Sequence, residues 1–205
     1  MTTSDQPAVL LIDMGGVFFS YSFWQALAYW AGAAGRDLRV LRARWRIDGP
    51  FDAFERGEIT PAGYLEHLRR LLGLDLDDDR MTAGWNAIYG EADAALIELL
   101  ASAEVRARFK LAGVSNTNVL HAGCWRQLFS EQLKILDGVW CSHEIGVTKP
   151  TLAFFERVAA GHGTSPDRLV LVDDIPEVTG AARALGLRAH RYQGASGLAA
   201  YLGTL

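Results

Sequence analysis

The chain has 205 residues, half of them hydrophobic and 21% charged, with 21 glycines and a net charge of −4. That composition suits one well-packed soluble core plus a small insertion, with no need of a disulfide or metal staple. It excludes an overall basic field that would gather nucleic acid or an anionic membrane.

No apolar run approaches the roughly 18 residues of a membrane span, and residues 1–7 lack the basic and apolar stretches of a secretory leader. A cytoplasmic protein, monomer or homodimer, is the expectation. Cys124 and Cys141 lack the close spacing of a zinc or redox pair, so buried structural thiols are expected.

In chain order, residues 8–12 form an apolar run that ends at Asp13 and reads as a buried parallel strand. Aromatic-rich, mainly helical sequence follows, and no second strand–helix unit begins before residue 90. Residues 19–90 are therefore expected to form a helical cap inserted into an α/β core built from 1–18 and 91–205. Within the insertion Trp24, Leu27, Ala28 and Ala31 recur at helical spacing, as do Tyr64, Leu65, Leu68, Leu71 and Leu72. Thr60 before Pro61 starts the second of these helices and Gly73 stops it. Residues 75–79, four aspartates around Leu76, read as an exposed loop because the spacing and closing Glu of a calcium loop are missing.

Beyond residue 90 the pattern alternates. Helices are expected at 93–100, 150–160, 176–185 and 196–202, and strands at 110–114, 138–141, 169–172 and 188–192. This alternation predicts a Rossmann-like parallel sheet with helices on both faces. In such sheets ligands bind just beyond the carboxyl ends of the strands. The polar residues that end the apolar runs, Asp13, Ser115, Lys149 and the pair Asp173-Asp174, therefore belong around one crevice.

A nucleophilic carboxylate, a hydroxyl, a cation and two further carboxylates suit phosphoryl transfer, in which the work is positioning and charge neutralisation. Three clustered carboxylates are costly unless a cation sits among them, and an oxygen-only set suits Mg²⁺. Each residue alone also has a plain structural reading. Asp13, Ser115, Asn116 and Asn118 are good turn formers, Lys149 precedes a helix, and one of Asp173 and Asp174 is a candidate helix cap.

Taken in order, Asp13-Met14-Gly15-Gly16-Val17, Ser115-Asn116-Thr117-Asn118, Lys149-Pro150 and Asp173-Asp174 resemble the four motifs of the haloacid dehalogenase (HAD) superfamily. With Leu120-His121 and the run Glu55-Arg56-Gly57-Glu58-Ile59, the chain is most similar to capped HAD phosphatases like α-glucose-1-phosphate phosphatase. The resemblance implies a Mg²⁺-dependent phosphatase acting through an aspartyl-phosphate on a small phosphorylated metabolite, a sugar phosphate foremost. Asp13 would attack phosphorus, with Ser115 and Lys149 holding the phosphoryl oxygens. Asp13, Asp174, Asp173 and the Gly15 carbonyl would hold the metal. Gly16, Asn116 and, among the aromatics after the nucleophile, Trp24 are expected to contact substrate.

Two positions depart from the family pattern. Gly15 stands where most HAD phosphatases carry a second Asp as general acid and base, help that is worth ~10²–10⁴-fold. Val178 stands where Asn or Asp commonly helps to hold the lysine or a metal-bound water, with Glu177 adjacent as a substitute. These departures leave open a dehalogenase-type hydrolase, and a phosphate-ligand-binding regulatory protein with impaired turnover.

Overall fold

The computed structural model describes residues 9–205, so residues 1–7, read from sequence as lacking the features of a leader, and Ala8, the first residue of the first expected strand, lie outside the described residues. Strand β1 (Val9–Asp13) is followed by β2 (Phe19–Tyr21) and then by α1 (Phe23–Ala34), α2 (Leu38–Arg44), α3 (Gly49–Glu55), α4 (Pro61–Leu72) and α5 (Asp78–Asn86). Strand β3 (Tyr89–Ala92) pairs back antiparallel to β2, closing a two-stranded ribbon around the helical insertion. The chain continues through α6 (Ala94–Ala101), α7 (Ala103–Arg108), β4 (Lys110–Ser115), α8 (Val119–Leu128), β5 (Gly138–Cys141), α9 (Ser142–Ile145) and α10 (Leu152–Gly161). It ends with β6 (Leu169–Asp173), α11 (Pro176–Ala184), β7 (Arg188–Arg191) and α12 (Ala195–Leu202).

The main sheet runs β5-β4-β1-β6-β7, and every neighbouring pair is parallel. All five residues of β1 are buried, because helices cover both faces of a parallel sheet and its central strand has no wet side. Alternation sends Leu10 and Ile12 into one apolar cluster and Val9 and Leu11 into the other. The chain places β4 and β5 on one side of β1 before returning to place β6 and β7 on the other, which makes β1 the switch point where such sheets open a crevice. Register does the rest. Asp13 pairs with Val114, one residue before Ser115, and Ile12 pairs with Val172, one residue before Asp173.

The inserted helices enclose an apolar core of their own, built around Trp30, Phe54, Tyr64, Leu68 and Trp85. Trp30 and Trp85 lie parallel with centroids 6.4 Å apart, and the Trp30 indole N–H donates to the Met81 carbonyl at 3.1 Å. Thr60 caps α4 by accepting from Gly63 N, Pro61 takes the first turn, and Gly73 ends the helix with φ +68°.

Several local features differ from the sequence-based expectation. Residues 75–79 are only partly loop, since the Asp77 side chain accepts from Arg80 N and starts α5 at Asp78. Helices α7, α8 and α9 and the β2/β3 ribbon were not expected; α7, α9 and both ribbon strands are too short to carry a clear period. Cys141 is buried, whereas Cys124 is only half-buried. Among the described residues no helix is long and apolar enough to cross a membrane.

Gly84 lies where a methyl group would enter the Trp30 indole. Because that ring is fully buried against Trp85 and cannot swing aside, Gly84→Ala is expected to destabilise the protein by about 1–3 kcal/mol through overpacking. Urea denaturation followed by tryptophan fluorescence checks this: the midpoint should fall with an unchanged slope.

Candidate active site

Three polar strand ends, Asp13 of β1, Ser115 of β4 and Asp173 of β6, meet around one buried ammonium, that of Lys149, which lies in the loop after α9 and not, as the sequence suggested, at the end of a strand. Lys149 Nζ donates to Asp13 Oδ1 at 2.7 Å and to Asp173 Oδ2 at 2.7 Å, and all three residues are buried. The second Asp173 oxygen accepts from the Ile175 backbone N–H at 3.0 Å, at the entry to α11. Asn116, just past the end of β4, fixes the lysine's own backbone. Its side chain accepts from Lys149 N at 2.8 Å and donates to Lys149 O at 2.9 Å, across a cis Lys149–Pro150 peptide. Burial alone would push the lysine pKa down, yet the two carboxylates prevail and raise it to about 12. Burial, then the nearby charges of Asp173 and Asp174, push Asp13 up to about 7 against the pull of Lys149.

One cation does not balance the acids present. Carboxylate oxygens of Asp13, Asp173 and Asp174 lie within 4.8 Å of one another. Asp174 Oδ1 is buried with no hydrogen-bond partner, the situation that a bound cation relieves. The oxygen-only donor set fits Mg²⁺. Gly16 makes room for it: with φ +87° and its N–H bonded to Phe19 O at 2.8 Å, it sits where a Cβ would lie 2.5 Å from Asp174 Oδ2.

Above this charged floor is a cavity of about 220 Å³. Ser115 faces it with its hydroxyl barely engaged, 3.5 Å from Asn116 O. Phe23, Phe51 and Ile88 bring apolar walls from the insertion. Glu55, at the end of α3, lines the same space. Its carboxyl is raised to about 7 by burial and by Asp52 and Asp13, with Lys149 opposing. His121 also borders the cavity but is fully committed. Its Nε2 lies 2.9 Å from Trp85 O and its Nδ1 3.2 Å from Asn118 Nδ2, and burial holds its pKa down to about 4, so the ring is neutral.

No family model matches the chain. Its backbone nevertheless superposes on a HAD family enzyme of Bacteroides thetaiotaomicron, solved with magnesium and inorganic phosphate, with TM-score 0.76 at 23% identity over 91% of this chain and 94% of that one. A HAD-like hydrolase of Porphyromonas gingivalis gives TM-score 0.73 at 20% identity over 96% of both chains. L-2-haloacid dehalogenase of Xanthobacter autotrophicus gives 0.62 at 19% identity over 97% of this chain and 83% of its own. This chain has the HAD fold.

Within the HAD fold, the structure brings Asp13, Gly15, Ser115, Asn116, Lys149 and Asp173 to one cavity, with Asp174 beside Asp13 and Asp173. It does not bring two of the expected substrate contacts, Trp24 and Gly16, to the cavity. Trp24 is half exposed on the outer face of α1 under the Arg42 guanidinium, because a helix turns each residue about 100° from the last and the inward position belongs to Phe23. Gly16 serves the turn and Asp174 rather than the cavity. The Asn116 amide is spent on the Lys149 backbone. Val178 does line the cavity and Glu177 is exposed, so neither steadies Lys149; Asn116 and Asp173 do. At Gly15, where the family pattern has an acidic side chain, a Cβ would lie 3.0 Å from the Tyr21 ring, so Tyr21 fills that volume. The sequence places Tyr21 among the aromatics after Asp13, most of them expected to pack, without separating it from the rest, and it leaves Glu55 without a role although Glu55 opens the motif run singled out there.

Removing the central ammonium leaves Asp13 facing Asp173 in a buried site. Lys149→Met is expected to cost about 3–5 kcal/mol in metal-free buffer, measured by chemical denaturation. Glu55 gives the opposite sign. Its folded-state pKa of about 7 exceeds the ordinary 4.5, so its contribution is complete below pH 4.5 and is lost as the pH rises through 7. Glu55→Gln should therefore become progressively more stable than wild type from pH 4.5 to 7 and hold that margin above, in parallel urea titrations.

Proposed function

We propose that the chain is a Mg²⁺-dependent phosphatase that hydrolyses small phosphomonoesters, sugar phosphates foremost, through an aspartyl-phosphate on Asp13. The observation that carries this reading is the buried Lys149, shared between Asp13 and Asp173, beside an Asp174 carboxylate whose Oδ1 has no partner. A site with no use for a divalent cation gains nothing from that orphaned oxygen. This favours the phosphatase over the dehalogenase-type reading, even though a dehalogenase shares the fold.

Asp13 is held at the crevice by the lysine and attacks phosphorus, forming the acyl-phosphate bond as the ester P–O bond breaks. Lys149 and the Ser115 hydroxyl, held only by a long 3.5 Å bond to Asn116 O, offer donors to the phosphoryl oxygens, where charge builds in transfer. Asp13, Asp173 and Asp174 would hold Mg²⁺, which when bound neutralises phosphoryl charge and keeps Asp13 ionised near neutral pH. The cavity is compact and mostly apolar with a few polar groups, which suits a single small ring with an apolar face. A complex with magnesium and inorganic phosphate in the B. thetaiotaomicron enzyme supports the same chemistry by analogy of fold.

Phosphate release from a panel of sugar, alkyl and nucleoside monophosphates is the test. Release should require Mg²⁺, favour single-ring substrates over nucleotides, and vanish in Asp13→Asn. Saturable phosphate binding by the folded protein with no release from any member would overturn the reading.

A further inference from the structure

Transfer to Asp13 releases an alkoxide and later needs an activated water, yet at Gly15 the core supplies no side chain for either task, and Tyr21 closes the space. The structure offers one candidate from the other side of the cavity. Beyond Asp13, Lys149 and Asp173, the titratable groups lining it are Tyr21, Glu55, Tyr89 and His121. His121 is neutral and has both nitrogens engaged. Burial raises both phenols, and Asp13 and Asp174 raise Tyr21 further, so neither phenol ionises to act as a base. Glu55 remains. Its carboxyl makes no hydrogen bond among the described residues.

Glu55 is also held in place over the floor. The Ser142 hydroxyl, at the start of α9, lies 2.6 Å from the Glu55 carbonyl and accepts from Thr117 N at 2.9 Å. Two residues on, Gly57 has φ +71° and sits so close to the core that a Cβ would stand 2.5 Å from His143 O. The end of α3 is thus seated on the start of α9, whose Ser142 hydroxyl also holds the Thr117 backbone.

We propose, resting on the phosphatase reading, that Glu55 of the inserted helices is the general acid and base of this site. As Asp13 attacks, the Glu55 carboxyl gives its proton to the ester oxygen, so the alcohol leaves neutral and Glu55 becomes a carboxylate. Glu55 then takes a proton from the water that attacks the aspartyl-phosphate. Hydrogen phosphate leaves, the Asp13 carboxylate is restored and Glu55 is protonated again. The position suits both steps, because leaving group and water occupy the side of phosphorus away from Asp13, toward the insertion. Burial, Asp52 on its own helix and Asp13 across the cavity keep the carboxyl largely protonated up to about neutral pH, while Lys149 acts against this.

The test compares wild type, Glu55→Gln, Glu55→Asp, Tyr21→Phe and Asp13→Asn on 4-nitrophenyl phosphate, whose leaving group needs no proton, and on 2-phenylethyl phosphate, whose leaving group does. Glu55→Gln should lose at least ~10²-fold in kcat on the alkyl ester. On the nitrophenyl ester it should give a burst of one equivalent of 4-nitrophenol and a phosphorylated Asp13 that accumulates, since hydrolysis of the intermediate lacks its base. Glu55→Asp should recover part of both. Unchanged alkyl turnover in Glu55→Gln overturns the proposal, and its collapse in Tyr21→Phe instead moves the role to Tyr21. Equal loss on both esters with no burst also overturns it, because Glu55 then acts before chemistry. If wild type matches Asp13→Asn and releases no phosphate, the phosphatase reading itself fails and this proposal falls with it.

Discussion

The structure is organised around one buried ammonium that needs two carboxylates. Lys149 is out of water, and only its contacts with Asp13 and Asp173 keep it charged there. Those carboxylates come from adjacent strands, so the ion set exists only while β1 and β6 hold their register and the loop after α9 is pinned by Asn116. A slip of one residue would turn Asp13 to the opposite face and strand three charges in an apolar interior. The apolar strands thus carry the site as well as the core. The sheet sets the positions, and the ion set makes any other register costly.

A second set of contacts fixes the inserted helices above that floor. Trp85 from α5 lies flat on His121 from α8, with centroids 4.3 Å apart, and its indole N–H donates to Asn118 Oδ1 at 3.2 Å. The same Asn118 oxygen accepts from His121 N at 3.1 Å, capping α8. One asparagine therefore starts a core helix and holds the insertion down. With the β2/β3 ribbon on one side and Ser142 against Glu55 on another, the insertion is tied at three places around the cavity. This accounts for the motif residues that touch no reacting group: Asn118 and His121 belong to the attachment of the insertion.

Sequence reading recovered what short-range pattern encodes. Apolar runs ending in Asp13, Ser115 and Asp173 are legible because a strand buried on both faces has almost no polar residues, which makes its polar end conspicuous. The helical insertion is legible from its aromatic 3.6-residue spacing, and the crevice from topology. Roles that depend on contacts between distant segments were not legible. Asn116 looks like any residue lining a crevice until its amide is seen pairing with a backbone 33 positions away. Trp24 and Phe23 are equivalent by composition, and only the rotation of α1 assigns Phe23 to the cavity and Trp24 to solvent. Glu55 is one acidic residue in a charged run; its significance lies in facing the cavity with a carboxyl that makes no hydrogen bond among the described residues, which sequence does not record.

The proposed placement of the proton donor on the insertion also changes what its attachment would do. An acid two residues after the nucleophile would be ready whenever substrate reached the floor. A donor at the end of α3 is ready only when that helix end is seated on Ser142 and on the backbone at His143. On the proposed mechanism, the contacts that seat α3 beside the cavity also position the group that completes the reaction. A ligand too large to let α3 seat would meet a nucleophile without an acid. Selection by size thereby acts on turnover as well as on binding, which is differential stabilisation of the transition state over the bound ground state. On this reading Gly15 shifts a function from core to insertion, and Tyr21 fills the volume that a side chain at Gly15 would take, which leaves the acid on the side where the leaving group departs.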